Sequence, residues 1–181
     1  HLNLCAITGT DGKTTTSRII HELLSKLASS IVIGTNGISY HKNEYKTQNT
    51  TPSKTCLYHA LEDAYNRNIK FGQIEMSSEG ILDNRGNFLS FNACIFTNIT
   101  REHLNTHKTM KTYLDTKLLL FNQVKKDGLF VINHDSNHFK YIVNKCHGHL
   151  ITYGIKGGNV QAKNIKYNIN YTIFNLYYLD H

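Results

Sequence analysis

One proline, Pro52, stands among 181 residues, and no repeat or linker interrupts the chain. A single domain is expected, long enough to bury a substantial core. No apolar run approaches the roughly 20 residues of a membrane span, so no membrane partner is expected. The opening "HLNLCAITGT" lacks a basic flank and is too short for a secretory leader. The four cysteines (Cys5, Cys56, Cys94, Cys146) show no CxxC spacing. That argues against a cysteine zinc site or a disulfide frame, and suits buried thiols in a reducing, cytoplasmic setting. The formal charge of +7 comes from dispersed basic residues rather than a dense tract. Phosphorylated small molecules fit that dispersal better than nucleic acid does. With 40% hydrophobic residues, the chain should fold rather than stay disordered.

What is present is an alternation. Short apolar runs bounded by turn residues read as strands: "LNLCAIT" (2–8), "IVIGT" (31–35), "KFGQIEM" (70–76), "NACIFTN" (92–98), "GLFVIN" (128–133) and "HLITYG" (149–154). Between them lie helix-like runs at 14–29, 53–68, 110–124 and 136–146. The first carries Ile19, Ile20, Leu23, Leu24 and Leu27 at helical spacing. Residues 36–48 suit an irregular hairpin, and the tail alternates like antiparallel strands. The pattern predicts an α/β fold: a mostly parallel sheet flanked by helices, with antiparallel strands at the edge. In such sheets ligands sit beyond the C-terminal strand ends. The loops "TGTDGKTTT", "EMSSEG", "TNITREH" and "NHD" all leave strands there.

The stretch "AITGTDGKTTTSRII" (6–20) places a glycine loop between a strand and a helix N-terminus, where backbone N–H groups can face an anion. Gly9 and Gly12 allow the backbone shape. Lys13 would reach terminal phosphate oxygens, and the Thr14 hydroxyl a magnesium ion. The loop is a shortened GxxGKT; the first glycine position of the full GxxxxGK[ST] pattern holds Ile7. A magnesium–phosphate site needs oxygen ligands. Glu75 closes the strand "FGQIEM" and could supply one, or be a surface glutamate at a strand end. His103 and His107 are four apart, as on one face of a helix, but no third ligand or HExxH pattern accompanies them, and zinc is not expected. Lys117 lies among leucines and aromatics in "YLDTKLLLF"; periodicity alone reads it as a lysine snorkelling from a helix. "NTTPSKT" (49–55) reads either as a phosphate-holding turn or as a helix start, with threonine capping and proline in the first turn.

Taken in order, "TGTDGKTTT", "NTTPSKT", "EMSSEGI…R", "FTNITREHLNTH…K" and "TYGI" resemble the Mur ligases. These are the ATP-dependent amide-forming enzymes of peptidoglycan precursor synthesis. The similarity is strongest to the branch that adds the third amino acid, and its most specific part is the "TREHLNTH" block with the following lysine. It spans nearly the whole chain but only the family's central ATPase domain. The N-terminal uridine-holding and C-terminal closing domains find no counterpart in residues 1–181. Little or no ligase activity is therefore expected of this chain alone.

The resemblance implies roles residue by residue. Gly9, Thr10, Asp11, Gly12, Lys13, Thr14 and Thr15 would hold the ATP phosphates, with Asn133 or Asp135 near the adenine. Thr14, Glu75, His103 and Lys117 would serve two magnesium ions, Lys117 as a carbamate, fourteen positions after His103. Lys13, His103 and Lys117 would be catalytic. Thr50, Thr51, Ser77 and Arg85 would hold the UDP-linked muramoyl peptide, which receives an amino acid. A cytoplasmic monomer is expected. There are departures: Glu79 stands where many relatives have histidine, and Glu102 and Asn105 where Asp is commoner. Asn105 in place of aspartate would weaken the support of His103. Cyanophycin-type or folylpolyglutamate-type ligases, and a nucleotide-binding module that does no ligation, are the alternative readings.

Overall fold

The computed structural model describes residues 2–40, 43–100 and 109–179. Its strands are β1 (Asn3–Thr8), β2 (Ser30–Gly34), β3 (Gly37–Tyr40), β4 (Asn43–Tyr45), β5 (Phe71–Glu75), β6 (Phe91–Phe96), β7 (Val124–Asn133), β8 (His149–Gly154), β9 (Val160–Tyr167) and β10 (Thr172–Tyr178). The helices are α1 (Lys13–Ser25), α2 (Lys54–Asn66), α3 (Ser78–Leu82), α4 (Met110–Leu118) and α5 (Phe139–Val143). All strands join one sheet in the order β10-β9-β8-β7-β6-β1-β5-β2-β3-β4. Pairing is parallel from β9 across to β2 and antiparallel for β2–β3, β3–β4 and β9–β10. The expected α/β architecture is present, but both edges are antiparallel rather than one. At one edge the 36–48 hairpin extends the sheet: Gly34 and Gly37 pair across the two-residue turn Thr35–Asn36, and Gly37, the first residue of β3, takes φ +97°.

The centre of the sheet explains where a ligand can go. The chain leaves β1 toward β2 and β5 on one side, and β6 pairs with it on the other. This reversal opens a crevice at the C-terminal end of β1. Thr8, Gly34, Glu75, Phe96, Asn133 and Gly154 end their strands along that same edge. The strands are short apolar runs because the sheet is covered; Ala6, Ile7, Ile31, Ile33, Ile74, Phe96 and Phe130 are fully buried.

Boundaries depart from the sequence pattern where packing overrides it. The helix expected through residue 124 is α-helical only to Leu118 and then tightens into a 3-10 segment, Leu119–Gln123. This turn drives Phe121 between Phe96 and Phe130, with ring centroids 6.3 and 4.8 Å away. β7 starts at once, at Val124. The short α3 has no periodic signature; Ser77 caps it by accepting from the Gly80 N–H at 3.0 Å. Ser53, not a threonine, caps α2, and Pro52 precedes the cap instead of entering the first turn.

Helix α1 buries polar residues. Ile19 and Leu23 face outward, as does Leu27 beyond its end, Ile20 and Leu24 are half-buried, and Ser17 and His21 are its buried residues. The inward side continues as a polar seam. His21 Nδ1 lies 3.1 Å from the Ser30 hydroxyl, which donates to Gln73 Oε1 at 2.9 Å. Burial holds the His21 pKa below its ordinary value; the charge of Arg18 adds to this, and Glu22 and Gln73 oppose it.

Two outcomes are expected. Phe121→Ala should cost about 3–5 kcal/mol, seen as a large drop in thermal midpoint by circular dichroism; an unchanged midpoint would contradict this packing. The pH response follows from His21. The folded chain favours neutral imidazole, so the unfolded chain takes up the proton first as pH falls. Stability present above about pH 6.5 is lost as the pH drops through that value. In urea titrations the wild-type midpoint should fall more steeply between about pH 7 and pH 5 than that of His21→Gln. Equal slopes would show that His21 does not contribute.

Candidate nucleotide and metal site

The glycine loop, residues 9–12, follows β1 with a shape set by two positive φ angles, +143° at Gly9 and +79° at Gly12. A Cβ on Gly9 would overlap the Thr97 hydroxyl. The segment leaving β6 clamps the loop. The Thr10 N–H donates to the Asn98 carbonyl at 3.0 Å, and the Asp11 N–H to Asn98 Oδ1 at 2.9 Å. The Thr97 hydroxyl donates to the Asp11 carbonyl at 2.6 Å, and the Thr100 N–H donates to Thr10 Oγ1 at 3.0 Å. Gly12 caps α1 in the left-handed conformation with no side-chain cap, and the first turn holds no acidic residue. The positive end of the helix dipole is therefore left to an anion.

Two lysines converge on this loop. Lys13 Nζ donates to the carbonyls of Gly9, 3.0 Å away, and Thr10, 2.7 Å away. Lys117, on α4 and 1% exposed, donates to the same Gly9 carbonyl at 2.9 Å, with its ammonium 4.5 Å from the Tyr113 ring centroid. The snorkelling reading of Lys117 is thus overturned: the side chain turns inward to the loop because α4 packs beside it.

Glu75 ends β5 beside the loop, 1% exposed, so the surface reading of this residue is also overturned. Three hydroxyls donate to its carboxylate: Thr14 at 2.9 Å, Ser17 at 3.0 Å and Thr35 at 3.0 Å. Among the described residues no cationic side chain lies within ion-pair distance of it. The carboxylate lies across the end of β2, where a Cβ on Gly34 would strike it. Ser17 and Thr35 escaped the sequence reading. Ser17 falls three residues after Thr14 on the same helix face, and Thr35 follows a strand at the ligand edge; those placements were the available signals.

The residues assigned to substrate gather next to Glu75. Thr50 Oγ1 is 3.0 Å from Thr35 Oγ1. Thr51, fully buried, donates to the Glu75 backbone carbonyl at 2.9 Å and accepts the Ser77 N–H at 2.8 Å. Arg85 donates to the Thr51 carbonyl at 2.9 Å and pairs with Asp83 at 2.6 Å. Thr51, Ser77 and Arg85 therefore bind the 49–53 segment to the exit of β5. Thr15 is exposed on α1.

Asn133 and Asp135 border a cavity of about 270 Å³ that Tyr153, Ile155, Val160 and Leu176 also line. Asn133 donates to the Thr97 carbonyl at 2.9 Å, and Asp135 accepts the N–H groups of Ile155 and Lys156 at 2.6 and 3.0 Å. Tyr153 donates to the Thr97 carbonyl; burial first, and the charge of Asp135 second, push its pKa up to about 12. Glu79 lies in the first turn of α3. Glu102, His103, Asn105 and His107 lie outside the described residues. Among the described residues no group of three His, Cys, Asp or Glu could hold a metal ion. No helix among the described residues is long and apolar enough to cross a membrane.

A family profile described as Mur ligase middle domain matches residues 7–180. UDP-N-acetylmuramyl-tripeptide synthetase 2 of Oceanobacillus iheyensis is 34% identical over 97% of the chain, which covers 37% of that protein. A UDP-N-acetylmuramoyl-L-alanyl-D-glutamate–L-lysine ligase of Staphylococcus epidermidis is 34% identical over 91% of the chain and 35% of its own length. A solved UDP-N-acetylmuramoyl-L-alanyl-D-glutamate–2,6-diaminopimelate ligase superposes with a TM-score of 0.85 at 31% identity, over 97% of this chain and 37% of that one. The chain thus spans little more than a third of the length of these relatives.

The tight approach at Gly34 yields a test. Gly34→Ala pushes the Glu75 carboxylate away without demanding an unusual backbone. Divalent-cation binding, followed with Mn2+ by electron paramagnetic resonance, should weaken by about tenfold, as loss of a charge-assisted contact implies. Wild-type affinity would exclude Glu75 as a ligand.

Proposed function

The chain belongs to the Mur ligase family, as a middle domain, and from that premise we propose that it is the ATP- and magnesium-binding part of an enzyme that adds the third amino acid to UDP-N-acetylmuramoyl dipeptide. The observation that carries this reading is the meeting, at one sheet edge, of a glycine loop bearing two lysines and a buried carboxylate ringed by hydroxyls. The printed names of the relatives agree in forming muramoyl tripeptides and differ in the amino acid, lysine or diaminopimelate.

The donor set suits magnesium. At Glu75 it offers a carboxylate and the Thr14 hydroxyl, the oxygen donors this ion prefers alongside phosphate and water. Glu75 and Thr14 would hold one ion; His103 and Lys117, as a carbamate, would hold a second. When bound, magnesium supplies positive charge between the phosphates and the acceptor carboxylate. Lys13 and the α1 N-terminus would grip the terminal phosphates. The inward course of Lys117, buried and directed at the Gly9 carbonyl of the glycine loop, supports its place in the site.

In the proposed reaction the dipeptide's free carboxylate attacks the γ-phosphorus of ATP. The bond to the β-bridging oxygen breaks, ADP leaves, and an acyl phosphate forms. The incoming amino group then attacks the acyl carbon, phosphate departs with the C–O electron pair, and the nitrogen gives its proton to solvent. Two anions must meet in the first step, so the protein's main task is to neutralise and align them. Thr50, held at Thr35, would present the acceptor on the side of the site facing the 49–53 segment.

Calorimetric titration with MgATP tests the nucleotide role. Binding by the wild-type chain that Lys13→Ala reduces by tenfold or more (about 1.4 kcal/mol) is the expected result, and equal binding by both would refute it. In a complete enzyme, Lys117→Ala should keep ATP binding and lose ligation; undiminished turnover would remove Lys117 from the mechanism.

A further inference from the structure

Thr35 is assigned no role by the family resemblance, yet its hydroxyl is the point where the two halves of the site touch. It donates to Glu75 Oε2 at 3.0 Å and lies 3.0 Å from Thr50 Oγ1 and 3.2 Å from Thr14 Oγ1. A hydroxyl has one proton and two lone pairs. Thr14 spends its proton on Glu75 Oε2 at 2.9 Å. With the Thr35 proton also on Oε2, Thr50 is the donor to Thr35. The protons therefore run in one direction, from Thr50 through Thr35 to the carboxylate, and such a chain strengthens each link. In the structure, Thr50 reaches Glu75 through Thr35.

We propose that Thr35 is a positioning residue that fixes the metal-side carboxylate and couples it to the segment that receives the acceptor substrate. The inference rests on the nucleotide–magnesium reading above. The backbone supports it: Thr35 sits in the two-residue turn between β2 and β3, anchored on both sides by the Gly34–Gly37 pair. Its hydroxyl is thus placed by the sheet rather than by a mobile loop. Coupling of this kind is reciprocal: whatever orders Thr50 favours the metal-ready carboxylate, and the reverse.

The test measures how much Mg2+ is needed for half-maximal ATP binding by the chain. Thr35→Val keeps the shape and removes the hydroxyl; it should raise that requirement by about tenfold, as loss of one hydrogen bond to a charged group predicts. Thr35→Ser should restore it. Thr50→Val should raise it less, by about threefold, and the double variant should match Thr35→Val alone, since the effect of Thr50 passes through Thr35. A wild-type Mg2+ requirement in Thr35→Val, or additive effects in the double variant, would overturn the coupling while leaving the nucleotide reading intact. If neither wild type nor Lys13→Ala binds MgATP, the nucleotide reading fails and takes this inference with it. Circular dichroism of each variant guards against simple unfolding.

Discussion

A carboxylate removed from water needs donors or a cation, and the burial of Glu75 imposes that need on every element around it. Three elements answer with hydroxyls: α1 through Thr14 and Ser17, the β2–β3 turn through Thr35, and behind it the 49–53 segment through Thr50. Apolar packing alone would have brought Ile19 and Leu23 inward with the half-buried Ile20 and Leu24. The helix presents Ser17 and His21 to the sheet, and Ser17 there meets the carboxylate.

The same constraint explains how far the sequence could be read. The order of strands and helices was plain, because buried strands and their glycine punctuation are local signals. The glycine loop, Glu75 and the 49–53 segment were visible as motifs. Lys117 was not: nothing local distinguishes a lysine that snorkels to water from one that turns inward to a backbone carbonyl. Only the family resemblance marked it. Ser17 and Thr35 were invisible because hydroxyls carry no periodic signal, and their importance arises from a carboxylate 58 and 40 residues away. The rotation of α1 was not legible either, since helical periodicity reports apolar spacing but not what each residue faces.

The far edge of the site shows polar side chains serving the scaffold. Asn133 and Tyr153 both donate to the Thr97 carbonyl, and Asp135 gathers two N–H groups of the β8–β9 connection. These bonds hold the exits of β6, β7 and β8 together, and the Thr97–Thr100 segment in turn clamps the glycine loop. Rigidity passes from the sheet into the loop through backbone carbonyls, which leaves side chains at the rim to shape the adjoining cavity.

The Gly9 carbonyl has a consequence for how a phosphate would enter. Both lysines already spend a hydrogen bond on it. The loop's own backbone thus occupies donors of both side chains. On the proposed reading, nucleotide entry would be a ligand exchange, oxygen for oxygen, rather than the filling of a void. In such an exchange the favourable free energy comes from charge rather than contact area, so a nucleotide with a terminal phosphate should displace the carbonyl where a shorter one would have less to trade.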